Sequence, residues 1–154
     1  MRKQRGFTLV EIIVVGLMMA ILLGLVTISL VRSQQNVSLT STQEVLVADL
    51  RQQQLKSMIG DTEGRASSDT YGIHFDANKY VLFHGTTYSS SDTSNSVINL
   101  DSNMQFNSPN YNVIFSKLSG STSAKIIDLQ DNTSSKIKRI HLNVYGTVTQ
   151  VESL

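Results

Sequence analysis

The amino-acid sequence predicts an α+β protein, in which a long amino-terminal α-helix packs on an antiparallel β-sheet domain. An uncharged, largely apolar run covers 20 residues, from position 12 to position 31. Residues 32–59 contain neither Pro nor Gly and are rich in the good helix formers Gln, Leu, Glu, Arg and Lys. After Gly60, short apolar runs with the period of a strand are separated by turn residues. A helix layer on an antiparallel sheet is a common solution for such a pattern.

The apolar run 12–31 is long enough to cross a membrane as a helix. With a rise of about 1.5 Å per residue, its 20 residues cover a hydrocarbon core of about 30 Å. Arg2, Lys3 and Arg5 precede the run, and only Arg32 follows it closely. The positive-inside rule therefore predicts a cytoplasmic amino terminus and an outward-facing domain after Arg32.

Glu11 places a carboxylate at the edge of this apolar run. An ionisable residue beside a membrane span is costly to bury and is a functional-site hypothesis by default. A secretory signal peptide has a shorter apolar core and a small-residue cleavage site, and this run fits neither description. A simple signal anchor is the alternative, although it explains neither Glu11 nor the dipeptide Gly6-Phe7.

The helix is predicted to continue beyond the apolar run as far as Ile59. Leu39, Leu46 and Leu50 recur at spacings of seven and four residues, which place them on one helix face. Gly60 then supplies a stop signal. The alternative is a membrane helix and a separate soluble helix that are joined by a hinge.

The remainder of the chain is predicted to form short antiparallel strands. The candidate strands are Tyr71–Phe75, Lys79–His84, Val97–Leu100, Met104–Phe106, Val113–Leu118, Lys125–Leu129, Ile137–Val144 and Thr147–Val151. The first two form a hairpin, because Asp76-Ala77-Asn78 between them is typical turn chemistry. Residues 61–69 and the Ser/Thr-rich residues 85–96 are predicted to be loops, the second of them exposed.

Composition and charge exclude several classes of protein. The chain has no Cys, so it forms neither disulfides nor Cys-based metal sites. Of the 13 basic residues, Arg2, Lys3 and Arg5 lie at the extreme amino terminus, which leaves 10 against 12 acidic residues, a balance of −2. The outward domain is therefore not a generally basic nucleic-acid binder.

The sequence predicts no metal and no cofactor. A hairpin could bring His74 and His84 together, but partly exposed strand histidines are the simpler interpretation, and His141 lies far away. Residues 128–132 carry oxygen ligands, yet they lack the spacing and the glycine of a helix–loop–helix calcium site. A polar turn is the favoured interpretation of that segment.

The outward domain has one concentration of basic residues and no catalytic motif. Lys125, Lys136, Lys138 and Arg139 could bind DNA phosphates, but a solvated strand face is favoured, because no aromatic residues are interleaved with them. No nucleophile elbow, phosphate-binding glycine loop or H-E-x-x-H motif is present. The protein is therefore predicted not to be an enzyme.

The segment Gly6-Phe7-Thr8-Leu9-Val10-Glu11 resembles the class III signal of type IV pilins and type II secretion pseudopilins. The resemblance implies that a prepilin peptidase cleaves between Gly6 and Phe7 and that the new amine of Phe7 is methylated. It also implies that Glu11 pairs with the terminal amine of a neighbouring subunit during assembly.

Three later segments are similar to GspH/FimT-type minor pseudopilins. They are Leu46–Arg51 with Gln54 and Ser57, the pair Tyr71–Phe75 and Tyr80–Phe83, and Ile140–Val148. The resemblance implies a pilin fold with a leader at 1–6, a transmembrane and assembly helix at 7–31, an amphipathic continuation at 32–59 and a β-rich outward domain at 60–154.

The resemblance further implies a function, a location and a set of partners. The protein is expected to be a minor pilin or pseudopilin of a type IV pilus or a type II secretion-like filament. The precursor would be a single-pass inner-membrane protein surrounded by lipid, and the mature subunit would join a periplasmic or extracellular filament. Its partners would be other subunits, the prepilin peptidase, and an inner-membrane platform with its ATPase. A minor pilin that binds extracellular DNA or a surface ligand is the alternative, and a signal-anchored surface enzyme is a weaker one.

Overall fold

The structure, a computed structural model, describes residues 8–67 and 69–154, and within these ranges the side chains of residues 25–36 are not described. Gly6 and Phe7, the predicted processing residues, therefore lie outside the described residues. The chain divides into two compact units, and the boundary between them falls between Asn36 and Val37. Each unit is described by itself below.

Helix α1 covers Leu9–Ile59, a length of 51 residues. Its carboxyl end is a Schellman motif, in which Gly60 adopts a φ of 65°. The N–H of Gly60 donates to the carbonyl oxygen of Ser57 at 3.4 Å, and the N–H of Asp61 donates to that of Lys56 at 3.0 Å. The predicted helix end at Ile59 and the stop at Gly60 are confirmed.

Within the described residues, eight strands follow the helix and form two antiparallel sheets. They are β1 (Tyr71–Phe75), β2 (Lys79–His84), β3 (Ser96–Asn99), β4 (Met104–Phe106), β5 (Tyr111–Phe115), β6 (Lys125–Asp131), β7 (Ile137–Leu142) and β8 (Val148–Ser153). The first sheet has the order β3-β2-β1-β5, and the second sheet has the order β4-β6-β7-β8. Every pairing is antiparallel. The predicted α+β class is confirmed, but the strands form two four-stranded sheets where one sheet was expected.

One hydrophobic core joins the second part of α1 to both sheets. The predicted helix residues Leu39, Leu46 and Leu50 are buried, with exposed fractions of 2%, 0% and 0%. Their partners come from the inner faces of the strands, and they include Ile73, Phe75, Tyr80, Val113, Phe115, Met104, Phe106, Ile127, Leu129, Ile140 and Leu142. The amphipathic pattern of the helix therefore fixes which of its faces the sheets cover.

Several strand boundaries differ from the predicted ones. Strand β5 ends at Phe115, because Ser116 donates to the carbonyl oxygen of Ser121 and the chain turns back at Leu118, which has a φ of 65°. Strand β6 extends to Asp131, because that residue still pairs with Met104 of β4. The other shifts are small: β3 begins at Ser96, β7 ends at Leu142, and β8 covers Val148–Ser153.

The first sheet buries residues on its second face as well. The ring of Phe83 lies over Gly72, where an added Cβ atom would come within 2.8 Å of both the ring and the carbonyl oxygen of Val113. Tyr88, from the loop predicted to be exposed, packs edge-on against Phe83 with the ring centroids 5.5 Å apart. Tyr88 also stacks on His74 at 4.0 Å. The loop thus covers apolar surface that the pattern of the strands had not marked as buried.

Candidate assembly and binding sites

Glu11 lies in the first turn of α1 and forms a capping box with Thr8. The N–H of Glu11 donates to Oγ1 of Thr8 at 3.3 Å, and the N–H of Thr8 donates to Oε2 of Glu11 at 3.5 Å. This reciprocal pair satisfies two of the backbone donors that a helix start leaves free. The capping role of Thr8 was missed in the sequence, although a Thr three residues before a Glu is the usual signature of this motif.

The described amino-terminal part of α1 presents apolar side chains on all sides. Every large hydrophobic residue from Leu9 to Leu23 that the structure describes is exposed, with fractions between 45% for Val14 and 77% for Leu9. A helix that is apolar all round is normally covered by lipid or by other protein. The Glu11 carboxylate therefore lies at the edge of an exposed apolar surface that lipid or another protein is expected to cover.

Among the residues that the structure describes, no helix meets the length and hydropathy that a membrane crossing requires. The predicted span 12–31 stays a prediction, because the side chains of its last seven residues, 25–31, are outside the description.

Ser57 connects the end of α1 to the first sheet. Its side chain is fully buried, with an exposed fraction of 0%. The hydroxyl donates to the carbonyl oxygen of Phe115 at 2.8 Å and accepts from the N–H of Tyr71 at 2.9 Å. The carbonyl oxygen of Ser57 also accepts from the N–H of Leu118. One small polar side chain thus fixes the helix against strands β1 and β5.

Gln54, one turn earlier, connects the same helix to two turns of the chain. Its Nε2 donates to the carbonyl oxygen of Tyr145 at 2.6 Å and to that of Gly120 at 3.2 Å. Gly146 has a φ of 76°, and a Cβ atom there would come within 2.5 Å of Nε2 of Gln54. These contacts require glycine at position 146. They also give a structural reason for Gln54 and Ser57, which the sequence had offered only through a family resemblance.

Asp49 is a second polar residue, besides Ser57, that joins α1 to the first sheet. The hydroxyl of Tyr80 donates to Oδ2 of Asp49 at 2.6 Å. Burial of the ring, together with this hydrogen bond, raises the pKa of Tyr80 well above its usual range. Tyr80 is therefore a neutral donor at every physiological pH, and the bond is a structural one.

The four basic residues considered for DNA binding do not form one surface. Lys138 pairs with Leu129 and Lys125 with Leu142, so both share the face that carries the buried residues, whereas Arg139 lies on the other face. Lys125 lies over the ring of Tyr111, 5.4 Å from its centroid, and Lys138 donates to Ser153.

Arg139 already has a carboxylate partner. Its Nε and Nη2 atoms donate to the two oxygens of Asp128 at 2.8 and 2.7 Å, and this pairing raises the pKa of Arg139. Lys136 lies in the turn before β7. DNA binding by these residues stays a prediction.

The strand histidines lie on opposite faces of the first sheet. His84 is paired with Tyr71 in the sheet, while His74 is paired with Val81, and adjacent positions of β1 alternate between the two faces. His74 contacts Asn112 at 2.7 Å, and His84 lies between the carboxylates of Asp69 and Asp92. The structure therefore does not bring the two imidazoles together.

The segment 128–132 forms no calcium loop in the structure. Asp128 faces Arg139, whereas Asp131 is buried on the opposite face and accepts hydrogen bonds from Asn103, from the N–H of Thr133 and from Ser134. A turn follows Asp131, as the polar residues predicted. Within residues 8–67 and 69–154, no three His, Asp or Glu residues are grouped so that they could hold a metal ion.

Comparison with known proteins gives one match, at the amino terminus. Residues 1–30 match the family model described as the prokaryotic N-terminal methylation motif. The chain carries the amino-terminal motif of type IV pilins and pseudopilins. No curated protein and no solved structure gives a significant match. The closer resemblance to GspH/FimT-type pseudopilins is therefore not confirmed.

The motif at residues 1–30 indicates the kind of precursor to which the chain corresponds. It supports a protein that is cleaved and methylated at its amino terminus, is anchored in a membrane and then assembles with other pilins. It indicates a structural subunit. The domain that follows the motif in the sequence is consistent with a pilin fold, since the second part of α1 lies on antiparallel sheets.

Proposed function

We propose that this protein is a minor pilin or pseudopilin, a structural subunit of a type IV pilus or of a type II secretion-like filament. The observation that carries the proposal is the match of residues 1–30 to the prokaryotic methylation motif. The proposal includes a domain plan with a leader at 1–6, an assembly helix at 7–31, its amphipathic continuation at 32–59 and an outward domain at 60–154.

The first step of maturation is cleavage between Gly6 and Phe7 by a prepilin peptidase on the cytoplasmic side. Cleavage creates an amine on Phe7, four residues before Glu11, and the same amine is then methylated. The product begins with a cation and carries an anion one helical turn later. Apart from the capping residue Thr8, the remainder of the helix start is apolar.

The second step is assembly, in which Glu11 of one subunit pairs with the Phe7 amine of its neighbour. A carboxylate at the centre of a membrane helix costs roughly 2.5–3.5 kcal/mol on insertion scales, and this value is an upper limit for Glu11 at the edge of the run. An opposite charge offsets that cost only when the two helices have the correct axial stagger. Removing one partner of a buried pair is strongly destabilising, so the pair would set the register of the filament.

Before assembly, the precursor would lie in the inner membrane with its amino terminus in the cytoplasm. The exposed apolar side chains between Leu9 and Leu23 support contact with lipid at that stage and with other subunits later. A platform protein and a cytoplasmic ATPase would supply the work of extraction, and the mature subunit would lie in a periplasmic or extracellular filament. This role requires neither a cofactor nor catalysis.

Processing by a prepilin peptidase tests the proposal. Membranes that contain the precursor are mixed with the peptidase, and the product is followed by its shift in mobility. The wild-type chain and Gly16→Ala should both be shortened, because a Cβ atom at Gly16 meets nothing within 4 Å. Gly6→Ala should stay at full length. Equal processing of Gly6→Ala and the wild type would contradict the proposal.

A further inference from the structure

An exposed apolar surface surrounds the carboxyl-terminal end of α1. Leu55, Met58 and Ile59 lie within little more than one turn of the helix, and each is between 46% and 67% exposed. Leu118 and Tyr145 come from two turns that contact the helix end, and they are 69% and 74% exposed. We call these five residues the end patch.

Backbone contacts fix the first of these turns, residues 116–120, against the helix. The N–H of Leu118 donates to the carbonyl oxygen of Ser57 at 2.9 Å. A Cβ atom at Gly120 would come within 2.6 Å of the side chain of Met58, so the turn lies directly against that side chain. The apolar side chains of the helix end and of this turn are therefore neighbours.

The turn that carries Tyr145 is held in the same place. Its carbonyl oxygen accepts from Nε2 of Gln54 at 2.6 Å, and its N–H donates to Oδ1 of Asn143 at 3.0 Å. An added Cβ atom at Gly146 would collide with the carbonyl oxygen of Gly120, so the two turns touch each other as well as the helix. Because the backbone under the end patch is already fixed, binding there requires little further ordering.

Leu118 has a backbone conformation that a leucine rarely adopts. Its φ is 65°, in the left-handed region, where Gly and Asn are the usual residues. Most of its side chain is exposed, so burial within the subunit does not compensate for this strain. Strained residues are concentrated at functional sites. A contact outside the subunit accounts for both the strain and the exposure of Leu118.

The end patch has the composition of a protein interface. Its residues are apolar or aromatic, and Tyr and Met are enriched at interfaces whereas Lys, Glu and Asp are depleted. Two exposed cations supply a polar rim, because Arg51 lies one helical turn before Leu55 and Lys117 is next to Leu118. Contiguous exposed apolar surfaces with a polar rim mark interaction sites.

The chain also carries an apolar surface that matches the end patch. From residue 12 to residue 23 the helix has no charge, and its large side chains are exposed on every side. The motif at residues 1–30 supports assembly with other pilins, so such a helix is present on neighbouring subunits. A contact between the end patch of one subunit and this helix of the next joins two different surfaces. Contacts of that type produce open filaments when the rotation does not close a ring.

We propose that the end patch binds the apolar helix segment 12–23 of a second copy of this chain. The inference rests on the proposed role as a filament subunit, and it adds the surface on which the next subunit docks. Leu118 and Tyr145 are the two anchors, because they are the most exposed residues of the end patch and both belong to fixed turns.

Photo-crosslinking between two differently tagged copies of the full chain tests the proposal. In one copy, p-benzoylphenylalanine, a photoreactive aromatic residue, replaces Tyr145. Cells that express both copies are irradiated, and the crosslinked product from membranes and filaments is digested and mapped by mass spectrometry. The product should carry both tags, with the label within residues 12–23 of the second copy. The photoreactive residue at Thr133, in the exposed turn at the other end of β7, should give at least tenfold less of this product.

Leu118→Asn separates docking from folding. Asn adopts the left-handed conformation more readily than Leu, so the melting temperature of the variant should stay equal or rise. The apolar anchor is lost, so the yield of the crosslink from position 145 should fall about fivefold or more. Leu118→Met keeps an apolar side chain and should crosslink as the wild type does. If Leu118→Asn lowers the melting temperature, Ile59→Gln at the exposed helix end replaces it.

Several results would overturn the proposal. They are labels confined to lipid, to another protein or to the end patch of the second copy, and a crosslink that persists unchanged in a folded patch variant. If filaments form from the processed chain but no label reaches residues 12–23, the docking surface alone is wrong. If Gly6→Ala is processed as the wild type is, the filament role fails, and the docking surface fails with it.

Discussion

The side-chain Nε2 of Gln54, on α1, lies 2.6 Å from the backbone carbonyl oxygen of Tyr145, in the turn between β7 and β8. The same nitrogen reaches the carbonyl oxygen of Gly120 in the connection between the two sheets. One helix residue thus satisfies backbone groups of two turns that are far apart in sequence. The relationship explains how the end of the helix holds the second sheet in place.

Replacement of Gln54 should therefore destabilise the outward domain. Gln54→Ala leaves two turn carbonyl groups without their donor, and we expect the free energy of unfolding to fall by about 1–3 kcal/mol. Gln52→Ala, an exposed position on the same helix, should change it by less than about 0.5 kcal/mol. Urea unfolding of both variants, followed by circular dichroism, measures the difference. Equal effects would show that the Gln54 contacts contribute nothing.

Gly146 and Gly64 both have positive φ angles, but only at Gly146 would an added Cβ atom meet neighbouring atoms. The pair therefore separates the effect of a steric clash from that of backbone strain. Both residues have positive φ angles, 76° and 80°, so alanine at either position costs roughly 1–2 kcal/mol of backbone strain. A Cβ atom at Gly64 meets nothing within 4 Å, whereas one at Gly146 collides with the carbonyl oxygen of Gly120 and with Gln54. Gly146→Ala should therefore lower the melting temperature clearly more than Gly64→Ala. Equal shifts would mean that only the backbone conformation matters at position 146.

Asp131 should make part of the stability depend on pH. Burial raises the pKa of its carboxyl, but hydrogen bonds from Ser134, Thr133 and Asn103 outweigh burial and hold the pKa below its usual range. In the unfolded chain the pKa of an Asp carboxyl is about 3.9. Because the pKa of Asp131 is lower in the folded state, the charged carboxylate stabilises the fold at any pH above the unfolded value. This contribution is lost as the pH falls through the pKa of the folded state.

Asp131→Asn isolates this contribution. At neutral pH the variant should be less stable by about 1–3 kcal/mol, because a neutral amide replaces the carboxylate that accepts these bonds. The difference in the free energy of unfolding between the variant and the wild type should become smaller as the pH falls below about 4. Glu44→Gln, at an exposed carboxylate on α1, serves as the control in urea titrations at several pH values. A difference in the free energy of unfolding that stays constant with pH would contradict the claim that Asp131 is charged in the folded protein.

Two substitutions at Glu11 separate helix capping from charge pairing. Gln at this position of a capping box still bonds to the backbone of the cap residue, here Thr8, so Glu11→Gln preserves the helix start. Glu11→Ala removes the charge together with the side-chain acceptor of the Thr8 N–H, while the bond from the N–H of residue 11 to Oγ1 of Thr8 remains. If the charge pairs with a neighbouring amine, both variants should be processed normally yet fail to form filaments at the wild-type level. Filament yield is counted by electron microscopy, and normal assembly of Glu11→Gln would contradict a pairing role.

Local sequence patterns predicted the secondary-structure elements whose ends are set by residues adjacent in the sequence. The end of α1 followed from Gly60, and the strands β1 and β2 followed from the alternation on either side of the Asp76-Ala77-Asn78 turn. These signals are short in range, and the structure reproduces them to the residue. The buried face with Leu39, Leu46 and Leu50 followed from helical spacing in the same way.

Features that depend on long-range contacts could not be predicted from such patterns. The division into two sheets arises because β4 pairs with β6, across a connection that includes all of β5. The end of β5 is set by a turn that bonds to Ser57 of the helix. The end patch is likewise assembled from residues far apart in sequence, since it combines the helix end with the turns that carry Leu118 and Tyr145. At the amino terminus, by contrast, the motif from Gly6 to Glu11 is contiguous, and the sequence alone predicted the methylation motif that residues 1–30 match.

The mass of the native amino-terminal peptide tests the central claim most directly. Filaments or membranes from cells that express the full chain are digested, and the first peptide is identified by tandem mass spectrometry. We expect a peptide that begins at Phe7 and whose mass exceeds that of the encoded sequence by one methyl group in place of an amine hydrogen. A mature chain that still begins at Met1, or that is cut at a site other than the Gly6-Phe7 bond, would contradict it.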